Sequence, residues 1–71
     1  MTNTTNEPAH DLPNLSKPAH RALSAAGYTR LEQFTQVQAA DVLQLHGVGP
    51  NAIAQIRLAL AAKGLAFADE A

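Results

Sequence analysis

The chain of 71 residues contains no cysteine and no tryptophan. Without cysteine, disulfide bonds, thiolate metal sites and a cysteine nucleophile are excluded, so a domain this small depends on well-capped, closely packed helices. The sequence has no run of about 18 apolar residues, the length that a membrane span needs, and no segment with the two-residue period of a strand. The polar start lacks the features of a secretory signal. We expect an all-α, cytoplasmic protein without a membrane partner.

Polarity divides the chain into one domain and two tails. Residues 1–11 are too polar to bury and are predicted to form a disordered N-terminal tail. Residues 12–68 are predicted to form a single domain, because a chain of this length holds only one core. Residues 69–71 are predicted to fray as a C-terminal tail.

The charges are distributed unevenly along the chain. The whole chain has a formal charge of −1, yet all five basic residues lie between Leu15 and Gly64. Only Glu32 and Asp41 are acidic in that stretch, which gives it a formal charge of +3. This mildly basic domain permits phosphate binding without requiring it.

Capping residues predict the first helix. It begins at Ser16, a favourable N-cap, with Pro18 in the first turn, and it ends at Gly27 in the left-handed conformation. Tyr28 is then placed to contact Leu23. The residues expected to face inward are Ala22, Leu23 and Ala26.

Two shorter helices follow. Thr29 and Glu32 have the spacing of a capping box and predict a helix as far as about Gln36. A third helix is predicted from Gln38 to Leu45 or His46, with His46 capping or packing at its end. The apolar residues that these helices should bury are Leu31, Phe34, Val42, Leu43 and Leu45.

The longest helix is predicted to begin at Pro50, a favourable first-turn residue, and to end at Gly64. Its apolar residues recur at intervals of three and four, and Leu65 and Phe67 follow them into the core. The buried stripe is Ile53, Ile56 and Leu60. The predicted fold is a compact bundle of four to five short helices.

A twenty-residue repeat is one interpretation of the turns. Leu23 precedes Gly27 by four residues, and Leu43 precedes Gly47 by four. Each unit reads as helix, tight turn, helix. A duplicated pair of units and an unrelated pair both fit these few positions.

The segment 43–56, LQLHGVGPNAIAQI, resembles the helix-hairpin-helix motif. Gly47 and Gly49 allow a sharp turn that Val48 anchors in the core, and the following helix presents its first amides. Those amides and the helix dipole suit a phosphate oxygen. The predicted donors are the backbone N–H groups of Val48, Gly49, Asn51 and Ala52, since Pro50 has none. Lys17 and Arg21 are predicted to contact neighbouring phosphates.

Across residues 15–67 the chain also resembles the C-terminal domain of the bacterial RNA polymerase alpha subunit, and small stand-alone bacterial DNA-binding proteins of that type. The similar segments are Leu23 with Gly27-Tyr28-Thr29, then Gly47-Val48-Gly49, then Leu60 with Lys63-Gly64-Leu65. The resemblance implies that the glycine turn and the start of the first long helix face DNA. The family's DNA-reading arginine falls at about Pro18, and the residues flanking its turn fall at about Gly47 and Asn51. Because these positions depart from the family's pattern, we expect weak, non-specific binding to DNA through the backbone amides. We also expect a monomer.

A protein-interaction module is the alternative. In that case the hairpin is purely structural, and the same helices dock on a polymerase or repair factor through exposed apolar side chains at Leu58, Ala61 or Tyr28.

Metal binding and catalysis find little support. His10, His20 and His46 fit no metal-ligand spacing and have no cysteine beside them. Ser16 and Ser24 lack the neighbours that activate a nucleophile. We expect neither an enzyme nor a bound cofactor.

Overall fold

The computed structural model describes residues 11–71. These residues form three α-helices and two 3₁₀ helices, with no strand among them, so the predicted all-α class is confirmed. The α-helices are α1 (Lys17–Ala25), α2 (Ala39–Leu43) and α3 (Pro50–Ala62), and the 3₁₀ helices are Leu31–Gln36 and Ala68–Glu70. None of these helices has the length and apolar character needed to cross a membrane. Residues 1–10 of the predicted N-terminal tail lie outside the described residues.

A single apolar core joins the helices. The ring of Phe34 stacks on Tyr28 at 4.9 Å between centroids and meets the edge of Phe67 at 5.9 Å. The predicted stripe of α3 is buried, and so is Phe67. The largest fully buried side chains are Phe34, Phe67, Leu23, Ile56, Leu60 and Val42.

The ends of α1 follow their local signals. The Ser16 Oγ accepts a hydrogen bond from the Ala19 N–H at 3.3 Å, as expected of an N-cap. Gly27 has φ +93°, and the Tyr28 N–H donates to the Leu23 carbonyl at 2.8 Å. The helix therefore ends in the predicted Schellman arrangement.

The C-terminal end of α3 repeats that arrangement. Gly64 has φ +73°, its N–H donates to the Ala61 carbonyl, and the Leu65 N–H donates to the Leu60 carbonyl at 2.8 Å. Leu65 packs against the core. The predicted beginning and end of the longest helix are both confirmed.

The predicted capping box at Thr29 and Glu32 is wrong. Gln33 supplies the cap instead: its Oε1 accepts the Thr29 and Arg30 N–H groups at 2.7 and 2.8 Å. Its Nε2 also donates to the Gly27 carbonyl at 3.0 Å. One amide thus ties the turn after α1 to the next helix, which is 3₁₀ and begins at Leu31.

Several predicted burials are also corrected. The third helix ends at Leu43 rather than Leu45 or His46, and in so short a helix Ala39 and Val42 take the inward positions. Leu43 is consequently 42% exposed. In α1 Ala19 and Leu23 are buried and Ala22 packs half-buried against the core, whereas Ala26 lies beyond the helix end and is exposed. Leu45 packs half-buried against the core.

Acidic residues assigned to the tails take part in the fold. Asp11 Oδ1 accepts the Leu31 N–H at 2.7 Å, and its Oδ2 pairs with Lys63 Nζ at 2.9 Å. Asp69 Oδ1 accepts the Ala39 N–H at 3.4 Å. Residues 69 and 70 were predicted to fray, but they lie in a 3₁₀ helix because their carboxylates find partners in the domain.

The two glycine turns differ in their hydrogen bonds. A second Schellman arrangement at Gly47 would join the Val48 N–H to the Leu43 carbonyl. Instead the Val48 N–H donates to the Leu45 carbonyl at 3.0 Å. The two glycine turns are twenty residues apart in the sequence, but their hydrogen-bond patterns therefore differ.

Asp11 should stabilise the fold mainly through its bond to Leu31. Asp11→Ala removes this bond and the Lys63 pair and should cost about 1–2 kcal/mol in the free energy of unfolding. Asp11→Asn retains an oxygen for the Leu31 N–H and loses only a half-exposed ion pair, which is worth less than about 1 kcal/mol. Urea unfolding at pH 7 measures both, and equal stability of Asp11→Ala and the wild type would contradict this role.

The carboxyl of Asp11 should also make the free energy of unfolding depend on pH. Partial burial raises the pKa of Asp11, but the hydrogen bonds from Lys63 and Leu31 outweigh it and hold the pKa below its ordinary value. The contribution of Asp11 to the free energy of unfolding is complete above the pKa of about 3.9 that an aspartate has in the unfolded chain. It is lost as the pH falls through the lower pKa of Asp11 in the folded protein. Unfolding between pH 5 and pH 2 should thus show a smaller loss of stability in Asp11→Asn than in the wild type.

Candidate nucleic-acid interface

The turn before α3 packs tightly against the first turn of α1. Gly47 has φ +101°, and a Cβ added there would lie 2.9 Å from the Pro18 carbonyl oxygen. Val48 is buried and anchors the turn in the core as predicted. This close approach brings the N-terminal ends of α1 and α3 to one surface.

Gly49 has a different role in the turn. It is the N-cap of α3 with φ −113°, and a Cβ there would meet nothing within 4 Å. A glycine N-cap has no side chain with which to accept a hydrogen bond. The first turn of α3 therefore depends on an outside acceptor or on water.

Among the α-helices that the structure describes, only α3 begins without a side-chain acceptor. Ser16 caps α1, and Asp69 accepts the first N–H of α2. The N–H groups of Gly49, Asn51 and Ala52 donate no hydrogen bond to any atom of residues 11–71. Three of the four predicted donors therefore have no hydrogen-bond acceptor within the described residues.

Val48 is not among them. Its N–H donates to the Leu45 carbonyl at 3.0 Å, so the prediction that it binds phosphate through this group is wrong. The backbone folds back on itself between α2 and Gly47, and this satisfies the amide within the turn. Val48 supports the surface through its buried side chain.

Two shallow grooves meet at Gly47. A groove of about 200 Å³ lies between the starts of α1 and α3 and is lined by the residues of the α3 donors. A second groove of about 290 Å³ runs along α1 and includes Arg21 and His46. The polar side chains of the first groove are Asn14, Ser16, Asn51 and Gln55. Free amides and a cation thus lie on either side of one glycine.

Ion pairs determine which cations are available. Arg30 pairs with Glu32 at 2.9 Å, Arg57 with Glu70 at 2.6 Å, and Lys63 with Asp11 at 2.9 Å. The hydrogen bonds from Arg57 hold the pKa of the Glu70 carboxyl below its ordinary value, so this pair is charged at neutral pH. The formal charge of +3 therefore overstates the positive charge that a ligand would meet.

Lys17 and Arg21 are the remaining cations. Neither has an acidic partner within residues 11–71, and they lie one turn apart on the exposed face of α1. They line a common surface that also includes His20 and Ser24. The structure thus places Arg21 in a groove with Gly47, and Lys17 on the neighbouring surface of α1.

Three further residues of this surface were not predicted from the sequence. Asn14 and Gln55 line the first groove, but isolated amide side chains give no signal in the sequence. His46 was predicted to cap or pack at the end of the third helix, yet it is exposed and lines the groove with Arg21. Its position next to Gly47 was the available signal. Within the described part of the chain, no group of three or more potential ligand side chains could hold a metal ion.

The two glycines of the turn should respond differently to alanine. Gly47→Ala places a Cβ against the Pro18 carbonyl at a positive φ and should destabilise the fold by about 2 kcal/mol or more. Gly49→Ala meets open space at an ordinary φ and should change stability by less than about 1 kcal/mol. Thermal unfolding of both variants measures the difference, and similar melting temperatures would refute the close packing of the turn on α1.

The resemblance to the polymerase alpha C-terminal domain stays a prediction. Comparison of the chain with protein-family models, with curated proteins and with solved structures finds no match. The uncapped start of α3 and the neighbouring cations are the features from which a function can be inferred.

Proposed function

We propose that this protein binds the phosphate backbone of DNA weakly and without strong sequence preference. The observation that carries the proposal is the position of an uncapped helix start near α1, whose cations Lys17 and Arg21 have no acidic partner within residues 11–71. One phosphate would accept hydrogen bonds at the start of α3. Its neighbours along the strand would meet the two cations on α1.

The chemistry of the α3 start suits an anion. Successive free N–H groups and the positive end of the helix dipole both favour a phosphate oxygen, and they act irrespective of the base attached. Gly49 leaves room for close approach because it lacks a side chain and a Cβ there would meet nothing within 4 Å. Contacts of this kind position a protein on DNA but read no sequence.

Pro18 supports the non-specific form of the proposal. The resemblance places the family's DNA-reading arginine at about this position. In this protein the Pro18 carbonyl packs against Gly47. A proline offers no donor for a base edge, so the contact surface is left to amides and two flexible cations.

An NMR titration of labelled protein with a short duplex tests the proposal. Shifts should concentrate at the amides of Gly49, Asn51 and Ala52 and on the α1 turn that holds Lys17 and Arg21. With about two phosphates neutralised, the logarithm of the affinity should fall with the logarithm of salt concentration with a slope of about −2. An absence of shifts at low salt would contradict the proposal.

Charge variants provide the matched comparison in that titration. Lys17→Gln together with Arg21→Gln should weaken binding and flatten the salt slope, whereas Arg30→Gln removes a cation already paired with Glu32 and should change little. Gly49→Glu should abolish binding by placing a carboxylate at the anion site, with the neutral Gly49→Gln as its control. If Gly49→Glu and the double variant of Lys17 and Arg21 both bind DNA with wild-type affinity, this surface is not the binding site.

One observation favours the alternative of a protein-interaction module. Leu58 on α3 is 66% exposed, and Ala54 and Ala61 are exposed on the same face of the helix. Tyr28, also predicted to be available, is half-buried and stacked on Phe34. A partner would accordingly use the outer face of α3.

The two functions can be separated by salt and by Leu58. A complex formed through the outer face of α3 should persist at about 0.5 M salt, where phosphate contacts are largely screened, and Leu58→Ser should weaken it at least tenfold. The same substitution should leave DNA binding unchanged. Pull-down at high salt with wild-type and Leu58→Ser baits measures this, and equal recovery by both would exclude the outer face.

A further inference from the structure

Residues 11–15, which we call the strap, lie just before the N-cap Ser16 and have no regular secondary structure. No backbone N–H or carbonyl of the strap takes part in a backbone–backbone hydrogen bond within residues 11–71. The strap is held on the helices by contacts that each involve a side chain. It can therefore leave the helices without breaking any backbone–backbone hydrogen bond of the described fold.

Asp11 holds the first end of the strap. Its Oδ1 accepts the Leu31 N–H at 2.7 Å, and its Oδ2 pairs with Lys63 Nζ at 2.9 Å. Leu31 begins a 3₁₀ helix, and Lys63 is the C-cap of α3. One carboxylate thus joins the strap to two helices, and both bonds are lost together when Asp11 moves away.

The second end of the strap lies at the opposite end of α3. The Leu15 N–H donates to His20 Nε2 at 3.2 Å. Asn14 and Leu15 line the groove between the starts of α1 and α3, which Asn51 in the first turn of α3 also lines. Leu12 and Leu15 pack half-buried against the core. The strap therefore joins the surroundings of the two ends of α3.

The strap has little slack between these two ends. The thirteen residues of α3 extend over about 20 Å at the rise of an α-helix. The chain from Asp11 to Ser16 reaches at most about 18 Å when fully extended. Pro13 fixes its own φ and favours an extended conformation at Leu12. A short and stiff segment of this kind transmits a displacement of one end to the other.

We propose that the strap opens from the helices as one unit, with Asp11 as its latch. Release of Asp11 frees the Leu15 N–H as well as the Leu31 N–H, although Leu15 makes no hydrogen bond to Asp11. Opening removes Asn14 from the groove between the starts of α1 and α3. The shape of that groove thus depends on a carboxylate at the far end of α3, whether or not the groove binds DNA.

Amide hydrogen exchange of the full chain, followed by NMR at neutral pH, measures this opening. The Leu15 and Leu31 amides should exchange at least about tenfold faster than the buried α3 amides of Ile56 and Leu60, because the strap opens without global unfolding. Asp11→Ala should accelerate exchange at Leu15 about fivefold, the effect of losing the net contribution of one hydrogen bond. Asp11→Asn, which keeps an oxygen for the Leu31 N–H, should accelerate it less.

A substitution at the second end tests the same coupling in reverse. His20→Leu removes the acceptor of the Leu15 N–H and should accelerate exchange at Leu31 about fivefold. Glu70→Gln is the matched control, because it removes a carboxylate paired with Arg57 at the other end of the chain. This control should leave the Leu15 and Leu31 amides at their wild-type rates.

Acceleration of the distant amide in both variants, with the α3 amides unchanged, would establish opening as one unit. Acceleration of Leu31 alone in Asp11→Ala would overturn it, because the carboxylate would then act only on its own bond. Equal acceleration of every amide would also overturn it. So would wild-type rates at Leu15 and Leu31 equal to those of the α3 amides, since the strap would then open only with global unfolding.

Discussion

The contact between Gly47 and the Pro18 carbonyl is the constraint on which the candidate surface depends. At 2.9 Å a Cβ would collide with backbone, which cannot move as a flexible side chain can. The turn before α3 can therefore lie against the first turn of α1 only because position 47 is glycine. Without this approach the free amides of α3 and the cations of α1 would belong to separate surfaces. The anchor Val48 fixes the turn from the core side, and the two contacts together determine where α3 begins.

The pairing of charges matters more here than their number. Five basic residues suggest a basic domain, but Arg30, Arg57 and Lys63 have carboxylate partners that neutralise them. Two of those carboxylates, Asp11 and Glu70, come from the edges of the described chain and thereby also fasten its ends to the domain. What remains positive is a small region at the start of α1. The proposed phosphate binding depends on this small region.

Prediction from the sequence succeeded where the determinant of the structure is local. Each helix end that was predicted correctly is determined by the backbone or side chain of one residue, namely Ser16, Gly27, Pro50 or Gly64. The spacing of apolar residues likewise identified the buried stripe of α3. Prediction failed where the partner is distant or the helix is short. The contacts of Asp11 join residues that are 20 and 52 positions apart, and no local pattern in the sequence indicates them. The exposure of Leu43 was not predicted, because a helix of five residues has too few turns for apolar periodicity to define its inner face. For the candidate site, three predicted amides and Arg21 line two grooves that share Gly47, and their role in binding stays a prediction. The internal bond of Val48 could not be predicted, because it depends on the path of the turn and glycine permits several paths.

The stacking of Tyr28 on Phe34 has a consequence for spectroscopy. The chain contains one tyrosine and no tryptophan, so apart from the weak emission of phenylalanine its fluorescence comes from a single ring. That ring lies beyond the C-terminal end of α1, about 14 Å along the helix from the N-terminal end that packs on the glycine turn. Its fluorescence should follow the integrity of the core and remain silent to ligands at the glycine turn. The protein thus contains its own optical reporter of folding, separate from any signal of binding.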